Sequence, residues 1–167
     1  MPFRLSGLLL ITLPAAMAAQ APTPDPMPSA RRVTVTAGSG NAMGWLGAQA
    51  ERYFAGEHRS VFLGLGYTPD LDGGDTSGLA AAAGVRGYTG GVRHRGFLEL
   101  SVSQIVVSSL GSHHYGPGVQ LGYQYAARRG FTAAASLGLG YVLSRPAAIA
   151  GSRLQPIGGI GFGYTWR

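Results

Sequence analysis

Ile160-Gly161-Phe162-Gly163-Tyr164-Thr165-Trp166, next to the end of the sequence, alternates a large apolar or aromatic side chain with glycine or threonine at every step. Successive side chains of an extended strand point to opposite faces. One face is therefore Ile160, Phe162, Tyr164 and Trp166; the other is Gly161, Gly163 and Thr165. A strand in a water-soluble sheet hides an apolar face and wets a polar one. This strand has a bulky apolar face and a nearly empty one. That is the pattern of a barrel strand with hydrocarbon outside and a narrow, filled lumen inside.

The same period of two recurs along the chain. It predicts eight strands, at 32–37, 45–54, 59–68, 78–89, 92–107, 115–126, 130–144 and 155–166. The first is the shortest, and Ser39-Gly40-Asn41 reads either as a loop or as a bulge within one long strand. One face carries rows such as Val61, Leu63, Leu65, Tyr67 and Val119, Leu121, Tyr123, Tyr125. The other carries Gly64, Gly66, Arg86, Glu99, Ser101, Gln120, Gln124 and Thr132, with Phe62, Tyr88 and Phe97 as bulky exceptions that must fill space. Small and polar side chains suit the crowded lumen of a barrel of only eight strands, which is too narrow for a water-filled pore.

Connection lengths alternate too. The links after the second, fourth and sixth strands are short, and those after the third, fifth and seventh are longer. Short turns on one side and long loops on the other are the habit of bacterial barrels, with turns facing the periplasm. Gly90-Gly91 reads as a two-residue hairpin turn, which would set Arg86 opposite Arg95. A three-residue turn around Arg128 would set Tyr125 opposite Phe131. Aromatic side chains gather at strand ends: Phe54, Tyr125, Phe131 and Trp166 on the short-turn side, Tyr67, Tyr115 and Tyr141 on the long-loop side. These are the expected belts at two membrane interfaces.

Residues 1–21 read as a cleavable secretory signal: Arg4 in the positive segment, an apolar run at 8–13, and Ala16-Met17-Ala18 as the cleavage site. The Pro-rich stretch 22–30 reads as an extended periplasmic tether, and 31–167 as the barrel domain. Beyond the signal, no segment nears the ~20 continuous apolar residues of a membrane helix, so a membrane form must be a barrel. Glycine is 28 of 167 residues and charged residues are 12%, far from the ~7% and ~25% of average chains. Cysteine is absent, which excludes disulfides, thiolate metal sites and a cysteine-linked lipid. All 13 basic residues are arginine, for a net charge of +6. They are scattered rather than clustered, so nucleic acid is not an expected partner. Arg31, Arg32, Arg52, Arg59, Arg93, Arg128, Arg129 and Arg167 fall near the short-turn ends, where they can snorkel to lipid headgroups.

With its signal, strand count and closing segment taken together, the chain resembles the small eight-stranded outer-membrane barrels of the OmpA/OmpX-like kind, from about Arg31 onward. Gly161, Tyr164 and Trp166 match the polar-Gly-x-x-aromatic-x-aromatic signal read by the barrel-assembly machinery; Ile160 replaces the polar residue, and Arg167 follows the last aromatic. The barrel-only, OmpX-like form is the closer one. The resemblance implies an all-β, eight-stranded antiparallel up-and-down transmembrane β-barrel in a Gram-negative outer membrane. Its expected partners are outer-membrane lipids, lipopolysaccharide and the assembly machinery. A monomer without cofactor or metal is expected.

Four charged residues fall on the lumen face: Glu51, Arg86, Arg95 and Glu99. Two acids balance two arginines, so an interior network is expected, since an unpaired buried charge is costly. Similar plugs are known in OmpA-like barrels, and an ion or proton path is the other reading of the same four residues. The leading expectation is a non-enzymatic outer-membrane protein with a filled lumen and a structural or surface-interaction role.

Two alternatives stand beside it. Some barrels of this kind are lipid A deacylases or acyltransferases, and Ser112-His113-His114 invites that reading. A serine nucleophile, however, needs a base within hydrogen-bond reach. Extended neighbours point to opposite faces. His58-Arg59-Ser60 meets the deacylase pattern only in part, with Val61 in place of asparagine, and it sits at a short turn. The other alternative is a soluble lipocalin-like ligand-binding barrel, which would reverse the two faces. Asp70, Asp72 and Asp75 resemble a calcium loop in spacing, but Gly74 and Asp75 reverse the required order and Ala81 stands where a bidentate glutamate belongs. A solvated acidic loop is the expected form. Replacing His113 and His114 by alanine should leave lipid A acylation in the host unchanged by mass spectrometry; an altered acylation pattern would establish the enzyme instead.

Overall fold

The computed structural model describes residues 33–54, 56–69, 77–107, 112–143 and 153–166. The predicted signal, the tether, Arg31, Arg32, the Asp70/Asp72/Asp75 loop and Arg167 lie outside the described residues. Eight strands follow in chain order: β1 Val33–Gly40, β2 Gly44–Phe54, β3 Arg59–Thr68, β4 Gly78–Gly90, β5 His94–Val107, β6 Ser112–Ala126, β7 Phe131–Tyr141 and β8 Leu154–Trp166. Every strand pairs antiparallel with its chain neighbour, and β1 pairs with β8 from Val33↔Trp166 to Gly40↔Gly159. The sheet is thus a closed up-and-down barrel, and closure leaves no strand edge along its wall. The β2–β3, β4–β5 and β6–β7 connections lie at one end, the turn end. The remaining connections lie at the other, the loop end.

The period-two expectation for the faces holds. Leu63, Leu65, Leu121 and Leu137 point outward and are each about two-thirds exposed or more. Phe62, Tyr88 and Phe97, the bulky exceptions, are buried inside, as are Glu51, Glu99, Gln120, Gln124 and Thr132. Most of the large aliphatic side chains are on the outside of this barrel, and its core combines polar and charged side chains with the rings of Phe62, Tyr88 and Phe97.

The first strand is separate from the second, which decides between the loop and bulge readings. Asn41-Ala42-Met43 turns the chain, and the turn folds into the lumen, burying Ala42 and Met43. Its backbone is tied down by Asn41 N–H donating to the Gly158 carbonyl (3.0 Å) and Met43 N–H to the Gly40 carbonyl (2.9 Å). The Asn41 amide also donates to the Ser103 hydroxyl. The inward fold needs bare backbone on the facing wall. A Cβ at Gly64 would collide with the Ala42 carbonyl, and one at Gly66 with the Met43 carbonyl.

Two registers differ from expectation. Gly90-Gly91 is not a two-residue turn: Gly90 pairs with Arg95, and Gly91-Val92-Arg93 forms the loop. Arg86 consequently lies opposite Glu99, not Arg95. The slip of four residues keeps each side chain on its face and avoids two like charges directly across the ladder. At the β6–β7 hairpin, Tyr125 lies opposite Ala133, not Phe131. The loop is Arg128-Arg129-Gly130, closed by Ala127 N–H to the Phe131 carbonyl (2.7 Å), with Gly130 at φ 97°. That is a three-residue hairpin with glycine at its left-handed position, set one residue further along than expected, which moves the partner of Tyr125 by two.

The β5–β6 hairpin is also longer than expected. Ser112, His113 and His114 belong to β6, paired with Val107, Val106 and Ile105, and are not in a loop.

The buried turn makes a specific demand on the wall opposite it. Gly64→Val should destabilise the barrel by about 1–3 kcal/mol through overpacking. Gly87→Val, at an outward position where a Cβ meets nothing within 4 Å, should not. Urea unfolding of the two variants in detergent micelles compares them, and equal midpoints would contradict the inward turn.

Candidate functional site

The lumen is built from alternate residues of all eight strands, so its contents follow from strand parity. In β2 the inward positions are Gln49, Glu51 and Tyr53; in β4, Arg86 and Tyr88; in β5, Arg95, Phe97 and Glu99; in β6, Gln120 and Gln124. Ladder pairing then sets their heights. Arg86 and Glu99 are direct partners, and so are Glu99 and Gln120.

Arg86 is the hub of a central layer. Its Nη1 lies 3.1 Å from Glu51 Oε2, and its Nη2 2.7 Å from Glu99 Oε2. Nε donates to the same Glu99 oxygen at 2.8 Å, and Nη2 to Gln49 Oε1 at 3.1 Å. The remaining Glu51 oxygen accepts from the Ser60 and Tyr88 hydroxyls. The remaining Glu99 oxygen accepts from Gln120 Nε2 at 2.7 Å, and Gln120 in turn accepts from Ser136 at 3.0 Å. The guanidinium also stacks between the Phe62 and Phe97 rings, 4.7 Å from each centroid. Both carboxylates are thereby hydrogen-bonded at each oxygen, which is the condition for keeping charge in a buried site.

Arg95 belongs to a second layer nearer the turn end. Its guanidinium lies over the Tyr88 and Tyr53 rings, 4.2 and 5.0 Å from their centroids, and donates to Gln124 Oε1. Nη1 donates to the Glu57 carbonyl at 3.2 Å and lies 3.8 Å from the Glu57 carboxylate. Gln124 Nε2 donates to the Tyr53 hydroxyl at 3.1 Å. Below it, the Thr34, Thr165 and Thr132 hydroxyls form a chain with 2.6 Å links.

All four charged residues expected in the lumen are there. They do not form one balanced quartet. Both acids engage Arg86, while Arg95 takes its carboxylate from Glu57 in the β2–β3 turn. Glu57 was not expected in the network because no strand parity applies to a turn. Tyr53 and Gln49, by contrast, follow from stepping two residues either side of Glu51.

Between the central layer and the inward turn remains a cavity of about 30 Å³, bordered by Asn41, Met43, Arg86 and Glu99. That is the space of about one water molecule. The lumen can hold charge and order; it has no room in its centre for an organic ligand.

The other expected site residues sit where the sequence puts them along the barrel. Phe54, Phe131 and Trp166 are exposed at the turn end, with Tyr125 half-buried beside them, 5.2 Å from the His94 ring. Tyr67, Tyr115 and Tyr141 are exposed at the loop end, and Trp45 joins them. Gly161, Tyr164 and Trp166 lie on β8, where Tyr164 and Trp166 contact edge to face at 5.0 Å. The candidate serine–histidine pair at the β2–β3 turn does not assemble: Ser60 is fully buried in the lumen on Glu51, and His58 is exposed.

Arg86→Met should cost about 3–5 kcal/mol, because it leaves two buried carboxylates without their cation. The triple variant Arg86→Met, Glu51→Gln, Glu99→Gln should recover much of that loss. Equilibrium unfolding in micelles measures both, and a single variant as stable as the parent would contradict the hub. In comparisons with known proteins, no family model, no curated protein and no solved structure matches this chain.

Proposed function

We propose that this protein is a non-enzymatic outer-membrane β-barrel with a filled lumen and a structural or surface-interaction role. The observation that carries the reading is the inverted distribution of side chains. The outer wall is a band of leucine, valine, isoleucine and alanine flanked by aromatic side chains at both ends, while Glu51, Arg86, Arg95 and Glu99 are buried inside. Soluble monomers rarely expose contiguous apolar surface beyond a few hundred Å². A lipid bilayer stabilises such a wall, and interfacial tyrosine and tryptophan suit its two boundaries. Arg52, Arg59, Arg128 and Arg129 are exposed at the turn end, beside one aromatic ring, where headgroup phosphates would lie.

The contents of the lumen favour a plug over a channel. Three obstructions stack along the axis: the Arg95–Tyr88–Tyr53 layer, the Arg86 layer and the inward turn. A lipocalin-like soluble barrel would need an apolar interior with room for a ligand; this one is filled by charged and polar side chains packed with the Phe62 and Phe97 rings. For the enzyme reading, the Ser60 hydroxyl faces a carboxylate in the lumen, away from any lipid.

Gel electrophoresis in detergent, with and without boiling, tests the membrane reading. The folded barrel should migrate differently from the boiled chain. Unchanged migration together with a native form soluble in plain buffer would overturn it.

A further inference from the structure

On the outer wall near the turn end, the ladder sets two rows of side chains side by side across β1–β5. One row is Val33, Arg52, Val61, Val85 and Leu100; the next, toward the middle of the wall, is Val35, Ala50, Leu63, Ala83 and Val102. Ala50 and Ala83 are short where their neighbours are long. The result is a shallow apolar groove, open along its length to the outside of the barrel. The lining itself is almost wholly apolar, and charge stands at its edge. Arg52 lies in the groove wall, and Arg59 is its diagonal neighbour across β2–β3, one row closer to the turns. Diagonal pairs of this kind stand roughly 7–8 Å apart at the backbone, within common reach of long side chains. Both arginines are exposed, and neither makes an ion pair among the described residues. Of the three described acids, Glu51 and Glu99 pair with Arg86 in the lumen, and Glu57 lies 3.8 Å from Arg95. Next to Arg59 in the same row is Gly87, where the wall is bare.

We infer that this groove is a binding site for one anionic glycerophospholipid, with an acyl chain over Ala50 and Ala83 and the headgroup phosphate bridged by Arg52 and Arg59. The inference rests on the membrane reading above. An apolar groove with two exposed arginines at its edge is complementary to a lipid that joins a hydrocarbon chain to a net negative head. Arginine suits the phosphate because its planar donors bind two oxygens at once. A second copy of this chain would bring its own Arg52 and Arg59 against these, so like charges disfavour that occupant.

The test uses the folded full-length barrel in nanodiscs of phosphatidylcholine with a minor fraction of phosphatidylglycerol, followed by native mass spectrometry of the released protein. The parent should retain one phosphatidylglycerol in preference to phosphatidylcholine. Arg52→Gln with Arg59→Gln should lower that preference about tenfold or more, as expected for losing two charge-assisted contacts. Ala83→Phe, which fills the groove and keeps both arginines, should lower phosphatidylglycerol retention as well. Arg128→Gln with Arg129→Gln, at a turn away from the groove, should lower phosphatidylglycerol retention far less than the Arg52/Arg59 pair does. Equal retention of the two lipids by the parent, groove variants that behave like the parent, an equal effect of the Arg128/Arg129 pair, or release of a protein dimer seated through this face would each overturn the site. A protein that enters nanodiscs and shows the boiling-dependent gel shift but selects no lipid overturns this inference alone. One that never enters nanodiscs overturns the membrane reading beneath it.

Discussion

An eight-stranded barrel has a fixed and narrow interior, and most of what is distinctive in this chain is a response to that confinement. Sixteen or more strands would leave a lumen for water to solvate any inward charge. Eight leave room for side chains only, so each inward group must meet another side chain or the opposite wall. Arg86 shows the consequence. It is flanked by two carboxylates, an amide and two aromatic rings because nothing else is available to solvate it. The facing glycines show the other side of the same constraint. Gly64 and Gly66 stand where the Asn41-Ala42-Met43 turn needs the space.

The interior is closed at three heights by different chemistry. Near the turn end, cation–π stacking of Arg95 on Tyr53 and Tyr88 does it. In the middle it is the Arg86 ion cluster. Toward the loop end it is main chain, folded inward. Such buried polar layers contribute little net stability relative to an apolar core of the same shape. They fit a barrel whose apolar residues are committed to the outer wall. Tyr88 links the two charged layers, since its hydroxyl donates to Glu51 while its ring lies under Arg95.

The fold was largely legible from alternation. Parity survives any even slip in register, so the faces of β4 and β5 came out correctly even though the Gly90-Gly91 turn did not. Parity alone puts Arg86 in the lumen, yet its ladder partner depends on loop length. Glycine pairs permit several turn geometries, and the choice is settled by what the neighbouring strands bring together. Here an even slip put Arg86 against Glu99. Glu57 was invisible for a related reason: a turn residue has no periodicity, so only the closed barrel brings it beneath Arg95.

By itself the sequence determined how many strands form, which side chains face in, and that four charged residues share a narrow interior. Those properties depend on a local rule, the two-residue repeat of an extended chain. Tertiary structure alone decided the partners. It split the four charges into an Arg86 cluster and an Arg95–Glu57 pair, turned the 41–43 segment inward, and placed Ala50, Ala83, Arg52 and Arg59 from three different strands around one outer groove. Each depends on ladder register and barrel closure, which relate residues far apart in the chain and leave no mark in any short stretch of it.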